Sequence, residues 1–187
     1  SDNDSLIFQV SDDGQPVNAY SSEVGFISHD RLILAFSLRL WRQGQAVFLP
    51  ENFHYAADDL AEKYGYRLNR FDPDTDIPHE AVSQRFLNDP LFMCVKIVSE
   101  YSKFIRLLKE IPVFASAKRE IYYADAANIH GEKHIIEALG RIHITSGGKN
   151  RITLIAQSYD AETAAELCSE WDEKLSNAYN KLFHADS

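Results

Sequence analysis

The stretch best equipped for chemistry in this chain is Ser146-Gly147-Gly148-Lys149-Asn150. Two adjacent glycines permit positive φ, so successive backbone N–H groups can turn toward one point. Lys149 adds a positive charge beside them, and Ser146 adds a hydroxyl. Such a loop can hold a phosphate, with Ser146, Gly147, Gly148, Lys149 and Asn150 as the binding set. Asp2 and Asp4 stand at i, i+2 near the start of the chain. Magnesium takes one or two carboxylates besides water and phosphate, so the two could contribute to such a site, or lie in a solvated terminus. His130 and His134 stand at i, i+4, a spacing that binds zinc from one helix face. Gly131 breaks the His-Glu-x-x-His order and no third ligand is apparent, so the pair reads as solvated or partly buried. Cys94 and Cys168 sit in apolar helical patterns with no Cys-x-x-Cys, and read as buried, reduced thiols. Ser28, Thr145 and Ser146 lack a Gly-x-Ser-x-Gly setting, so no nucleophile is assigned.

The elements that must position the loop follow from periodicity and turn chemistry. Lys118 to Asp125 reads as a strand, Asn128 to Leu139 as a helix, Arg141 to Thr145 and Arg151 to Gln157 as paired strands around the loop. A long helix, Asp160 to Phe183, closes the chain. Upstream, Ser5 to Ser11 alternates like a strand and runs into the turn signal Asp12-Asp13-Gly14. Ser28 or Asp30 caps a helix to Arg42, stopped by Gly44. Ala46 to Leu49, a helix from Asn52 to Tyr64 ended by Gly65, and Tyr66 to Phe71 make a parallel βαβ unit. Two prolines and three aspartates between Asp72 and Pro78 break the pattern. A short helix to Leu87 follows. Asn88 or Asp89 caps a helix with Pro90 in its first turn. That helix runs to Lys109 with Leu91, Val95, Val98, Phe104, Ile105 and Leu108 on its apolar face. Trp41, Tyr55, Tyr64 and Tyr66 read as core and domain interface.

Composition excludes several classes. The chain has 187 residues, 45% of them apolar, which is enough for one large or two small cores. A net charge of −9 with no basic stripe argues against a nucleic-acid partner and an anionic membrane surface. No apolar run reaches the ~20 residues a membrane span needs, and no signal peptide is visible. A cytoplasmic location fits. The abrupt start at Ser1 suggests a chain cut from something longer.

The strand-helix-hairpin-helix order resembles the C-terminal domain of the α-D-phosphohexomutase superfamily, the phosphoglucomutases and phosphomannomutases. The family hairpin reads Arg-Pro-Ser-Gly-Thr-Glu-Pro and binds the substrate phosphate. Here Ser146-Gly147 remains, Ile144 and Thr145 stand for the arginine and proline, and Lys149 for the glutamate. The helix ending Glu62-Lys63-Tyr64-Gly65 resembles the family's third domain, without its Gly-Glu-x-Ser-Gly-His sugar loop. Asp2 and Asp4 match two aspartates of the family's metal loop, with Ser5 in place of its arginine. The resemblance therefore implies the back half of the four-domain architecture, degenerate and truncated. It implies a remnant of the second domain (1–27), a shortened third-domain-like α/β unit (28–110) and a fourth-domain-like α+β unit (111–187). That last unit should carry an antiparallel-rich sheet with helices on one face. The expected function is the C-terminal portion of a phosphohexomutase-like protein acting on hexose phosphates, without the phosphoserine and inactive by itself. Magnesium and the N-terminal domains would be its cofactor and partner. The alternative is a catalytically silent structural or regulatory module, of the kind fused to sugar-1-phosphate nucleotidyltransferases.

Overall fold

The computed structural model describes residues 5–11, 16–73, 77–122, 133–137, 139–146 and 151–183. It is mixed α/β and divides into two compact units, 1–112 and 113–187.

In the first unit, β1 (Leu6–Val10), β2 (Val17–Ser21) and β3 (Gly25–Ile27) form an antiparallel sheet in that order. The sequence pattern showed only the first of these, because three- and five-residue strands with mixed polarity give little alternation to read. The helix α1 (His29–Arg42) begins where Ser28 Oγ accepts from Arg31 N, 3.3 Å away. Its entry is fixed to β2 by two further bonds. His29 N donates to Asn18 Oδ1 at 3.0 Å, and Val17 N donates to His29 Nδ1 at 3.2 Å. Leu32, Leu34, Ala35, Phe36 and Leu38 of α1 are buried, which puts this helix at the centre of the unit's core.

The expected βαβ unit is present. β4 (Val47–Pro50) and β5 (Leu68–Phe71) pair in parallel, with α2 (Ala56–Tyr64) between them in the chain. Asn52 does not cap α2. The cap position is Tyr55, with no side-chain cap bond, and just before it the buried His54 accepts from Ala56 N at 3.0 Å through Nδ1. Gly65 closes the helix at φ 68°, a conformation that a Cβ would strain. Trp41 stacks on Tyr66, which lies beside Tyr64. Tyr55 stacks on His54 instead.

α3 (His79–Ser83) leads through a 3₁₀ turn, Arg85–Leu87, to α4 (Pro90–Ser99), capped by Asp89. The single helix expected to reach Lys109 is two. α5 (Tyr101–Glu110) starts after a break at Glu100, whose backbone lies at φ −129°. Apolar spacing runs through the break without a phase shift, so periodicity could not reveal it. Ser99 Oγ donates to Lys96 O at 3.0 Å, offering that carbonyl a partner outside the helical ladder. Leu91, Val95 and Val98 are exposed, and the buried face of α4 is Met93 and Ile97. In α5, Phe104, Ile105 and Leu108 are buried as expected.

Arg31 reaches the far end of α5. Its guanidinium is buried, and Nη2 donates to Leu108 O at 2.9 Å and Ile111 O at 3.3 Å. The last carbonyls of a helix have no intrahelical donor and carry its negative dipole end, so a buried cation is tolerated there.

The second unit is a four-stranded antiparallel sheet covered on one face by a helix. Its strands are β6 (Ala115–Tyr122), β7 (Lys133–Glu137), β8 (Gly140–Ser146) and β9 (Arg151–Ser158), in the order β6-β9-β8-β7. The helix is α6 (Ala161–Phe183), where Asp160 Oδ2 accepts from Thr163 N at 2.7 Å. The helix expected over Asn128 to Leu139 is not formed across 133–137, which is the edge strand β7. Paired β-branched residues, Ile135-Ile136, and an antiparallel partner in β8 override the local helical spacing. Ile142, Ile144, Ile152, Leu154 and Ala156 pack under Leu167 and Cys168 of α6, with Trp171 and Leu175 at the margin. At Gly140 a Cβ would lie 2.1 Å from Gln157 O, so no other residue fits where β8 begins. Among the described residues, no helix is long and apolar enough to cross a membrane.

His29 makes the anchoring of β2 on α1 sensitive to pH. Burial pushes its imidazole below the usual 6.5, against the pull of Asp30, so Nδ1 accepts from Val17 N in the neutral form. The folded state therefore binds fewer protons than the unfolded one as pH falls through ~6.5. This contribution to stability is complete above that value and is lost below it. Asp30 opposes it at lower pH, because burial raises its carboxyl. Denaturant unfolding at about pH 7.5 and 5.5 should show a larger loss in the wild type than in His29→Asn, which keeps an acceptor and does not titrate. Equal losses would refute this role.

Candidate functional site

β8 and β9 are the two strands that present the phosphate-loop candidate. Thr145 pairs with Thr153 and Ser146 with Ile152, so the connection begins immediately after Ser146 and ends at Arg151. Gly147, Gly148, Lys149 and Asn150 lie outside the described residues, and of Ser146 the backbone alone is described. Tyr122, the last residue of β6, pairs with Arg151, and Lys133, the first of β7, pairs with Ile144. The end of β6, the start of β7 and the β8–β9 strand ends therefore lie at the same end of the sheet.

Alternation fixes what surrounds that end. Ile142, Ile144, Ile152 and Leu154 point to α6, so Thr145, Arg151 and Thr153 belong to the opposite face. Lys118, Glu120 and Tyr122 of β6 share that face by register. Glu120 is its hub. Lys118 Nζ lies 3.2 Å from one carboxylate oxygen. Tyr122 OH donates to the other at 3.1 Å, and Arg151 Nη1 is 4.0 Å from it. Lys118 foremost, then Tyr122, holds the Glu120 carboxyl below its ordinary range. Two cations stand against one carboxylate, all solvent-facing. An anion at the foot of the hairpin would gain from Arg151 and be opposed by Glu120. Sequence reasoning passed over Arg151. Its signal was its position, first after the turn on the face that carries Thr153.

Ile144 stands at the position of the arginine in the resembled motif. It is 2% exposed and part of the core beneath α6. A charge there would be buried, so no cation at 144 can serve a ligand in this sheet. On the α6 face, Arg119 Nη1 pairs with Asp172, tying strand to helix.

Asp2 and Asp4 lie outside the described residues, as do His130 and Tyr123. His134 lies on β7, in register with His143, so helical i, i+4 geometry does not relate it to His130. Among the described residues, no group of three His, Cys, Asp or Glu could hold a metal ion. Cys168 is buried as expected, whereas Cys94 is half-buried. Burial raises both thiols, which keeps them protonated at neutral pH.

No family model and no curated protein sequence matches this chain. Solved structures share its fold. A phosphoglucomutase/phosphomannomutase family protein from Burkholderia thailandensis superposes with a TM-score of 0.63 at 11% identity, over 93% of this chain and 47% of its own. A protein from Thermus thermophilus, provisionally assigned as a phosphomannomutase, gives 0.55 at 12%, over 93% and 46%. An N-acetylglucosamine-phosphate mutase of the α-D-phosphohexomutase superfamily, solved in its substrate complex, gives 0.56 at 13%, over 91% and 48%. The chain thus has the fold of a part of phosphohexomutase structures, and spans about half the length of those it matches.

Restoring the arginine of the resembled motif should damage the fold and leave the loop no better supplied with charge. Ile144→Arg places an unpaired guanidinium under α6 and should cost at least about 3 kcal/mol. Urea unfolding checks it, and a variant as stable as the wild type would show that position 144 can turn outward.

Proposed function

We propose that this chain is the C-terminal portion of a phosphohexomutase-like polypeptide, and that its β8–β9 loop contacts the phosphate of a hexose phosphate. Supporting this is one observation, the likeness of fold to phosphohexomutase structures over 91–93% of the chain. In this reading Ser146 supplies a hydroxyl, Gly147 and Gly148 supply amides, and Lys149 supplies charge, with Asn150 beside it. Arg151, at the foot of the loop, adds a second cation. The substrates are hexose 1- and 6-phosphates. Phosphoryl transfer also needs a phospho-donor and in-line geometry, which this reading assigns to N-terminal domains. Magnesium, which would neutralise phosphate charge, would be held through Asp2 and Asp4.

The burial of Ile144 favours a second reading, because the loop has lost a cation that this sheet has no place for. On that reading the chain is a catalytically silent module, structural or regulatory, joined to another domain such as a sugar-1-phosphate nucleotidyltransferase.

Amide NMR titrations with glucose 1-phosphate, mannose 1-phosphate and inorganic phosphate, with and without magnesium, separate the two. Saturable shifts centred on Gly147, Gly148 and Lys149 are expected. No shift there at millimolar ligand would overturn phosphate binding and leave the silent module.

A further inference from the structure

The first unit carries a hollow, on a different body from the β8–β9 loop, where charge is arranged against the balance of the chain. It lies between the last turn of α1 and the exposed face of α5, with a volume of about 430 Å³. Arg39 and Arg42 line it from α1, and Lys103 and Arg106 from α5. Glu100 and Glu110 are its only carboxylates, so cations exceed anions by two in a chain whose net charge is −9. Its floor is Phe104 and Leu107, both buried, which keeps water from one side of the charged groups.

The carboxylates are already engaged. Glu100, at the break between α4 and α5, accepts from Arg39 Nη2 at 2.9 Å. Lys96 Nζ and Lys103 Nζ lie 3.6 and 3.8 Å from it. Its side chain is 17% exposed and Arg39's 26%, so this pair forms a fixed inner wall. Three cations around one carboxylate leave positive charge unspent. Glu110 is paired with Arg42. Arg106 is the free arm. Its Nε donates to Ser102 O at 3.3 Å within its own helix, and no carboxylate pairs with it among the described residues.

We propose that this hollow is a binding site for a small polyanion, a phosphomonoester or a pyrophosphate group. The ligand would sit between Lys103 and Arg106, with Arg39 behind them. Guanidinium forks match phosphate oxygens in pairs, and the apolar floor strengthens the attraction by lowering the local dielectric. A volume of this order accommodates a small organic ligand. The adjoining hollow shares Arg39 and Gln43 and is walled by Phe48, Phe86 and Phe92, giving an apolar group on the same ligand somewhere to rest.

The test is isothermal titration with inorganic pyrophosphate, followed by side-chain NMR of Arg and Lys, on the wild type and three variants. Lys103→Gln with Arg106→Gln removes two exposed charges and leaves the Arg39–Glu100 pair in place. Lys149→Ala disables the β8–β9 loop, and Lys63→Gln removes an exposed cation that does not line the hollow. Saturable binding with shifts at Arg39, Lys103 and Arg106 is expected. The double variant should weaken it at least about tenfold, as befits loss of two charge-assisted contacts, and the other two should leave it unchanged. Loss of binding in Lys149→Ala alone would place the anion on the loop and overturn the proposal without touching the function proposed for that loop. Equal loss in Lys63→Gln would reduce it to diffuse charge and overturn it too, as would no binding at millimolar pyrophosphate.

Discussion

Covering Ile142, Ile144, Ile152, Leu154 and Ala156 with a single helix is the constraint from which the second unit's form follows. Five apolar residues on two central strands must meet Leu167 and Cys168, so Ile142, Ile144, Ile152, Leu154 and Ala156 are committed to that face. A slip of one residue would turn every one of them to the other side. Register therefore fixes where the hairpin turns, and with it the place of the loop after Ser146. Gly140 supports the same register from the opposite end, because only a glycine fits against Gln157 O as β8 begins. The fold thus pins both ends of the hairpin strands. It also decides that position 144 belongs to the core, where a cation could not serve a ligand at the hairpin.

The first unit is organised by α1 in the same spirit. That helix is buried along most of its length and is tied at each end by polar side chains. At its start, Ser28 and His29 bind the helix to itself and to β2. From its first turn Arg31 closes the last carbonyls of α5, and at its last turns Arg39 and Arg42 engage Glu100 and Glu110. One helix thereby sets the direction of α5 and creates the cationic hollow beside it. Exposed ion pairs of this kind contribute little stability by themselves, so their effect is to shape the surface and its charge.

How much of this could be read from residues depended on whether the cause was local. The Ser28 cap, the Asp89-Pro90 start, the Gly65 stop and the alternation through Arg151 to Gln157 are local, and each element stands where its sequence places it. β7 failed because Ile135 and Ile136 sit among good helix formers, and only the pairing with β8 turns them into a strand. The α4–α5 break failed because the apolar phase is continuous across Glu100, so periodicity alone reads one helix. Nothing in the sequence tells that α5 will end beside Arg31. For the candidate site, sequence supplied the loop composition, while Arg151, Glu120 and the fate of Ile144 came only with the register. Fold likeness to phosphohexomutase structures at 11–13% identity survives because it rests on buried pattern and order, which tolerate exchange of nearly every exposed residue.

We propose that the hairpin built by this sheet holds a hexose phosphate at the turn after Ser146. A crystal structure of the chain with bound glucose 1-phosphate or mannose 1-phosphate tests it most directly. The account predicts the phosphate against the Gly147 and Gly148 amides, with Lys149 Nζ within about 4 Å, an ion-pair distance. A sugar phosphate seated elsewhere, with the loop empty, would contradict it.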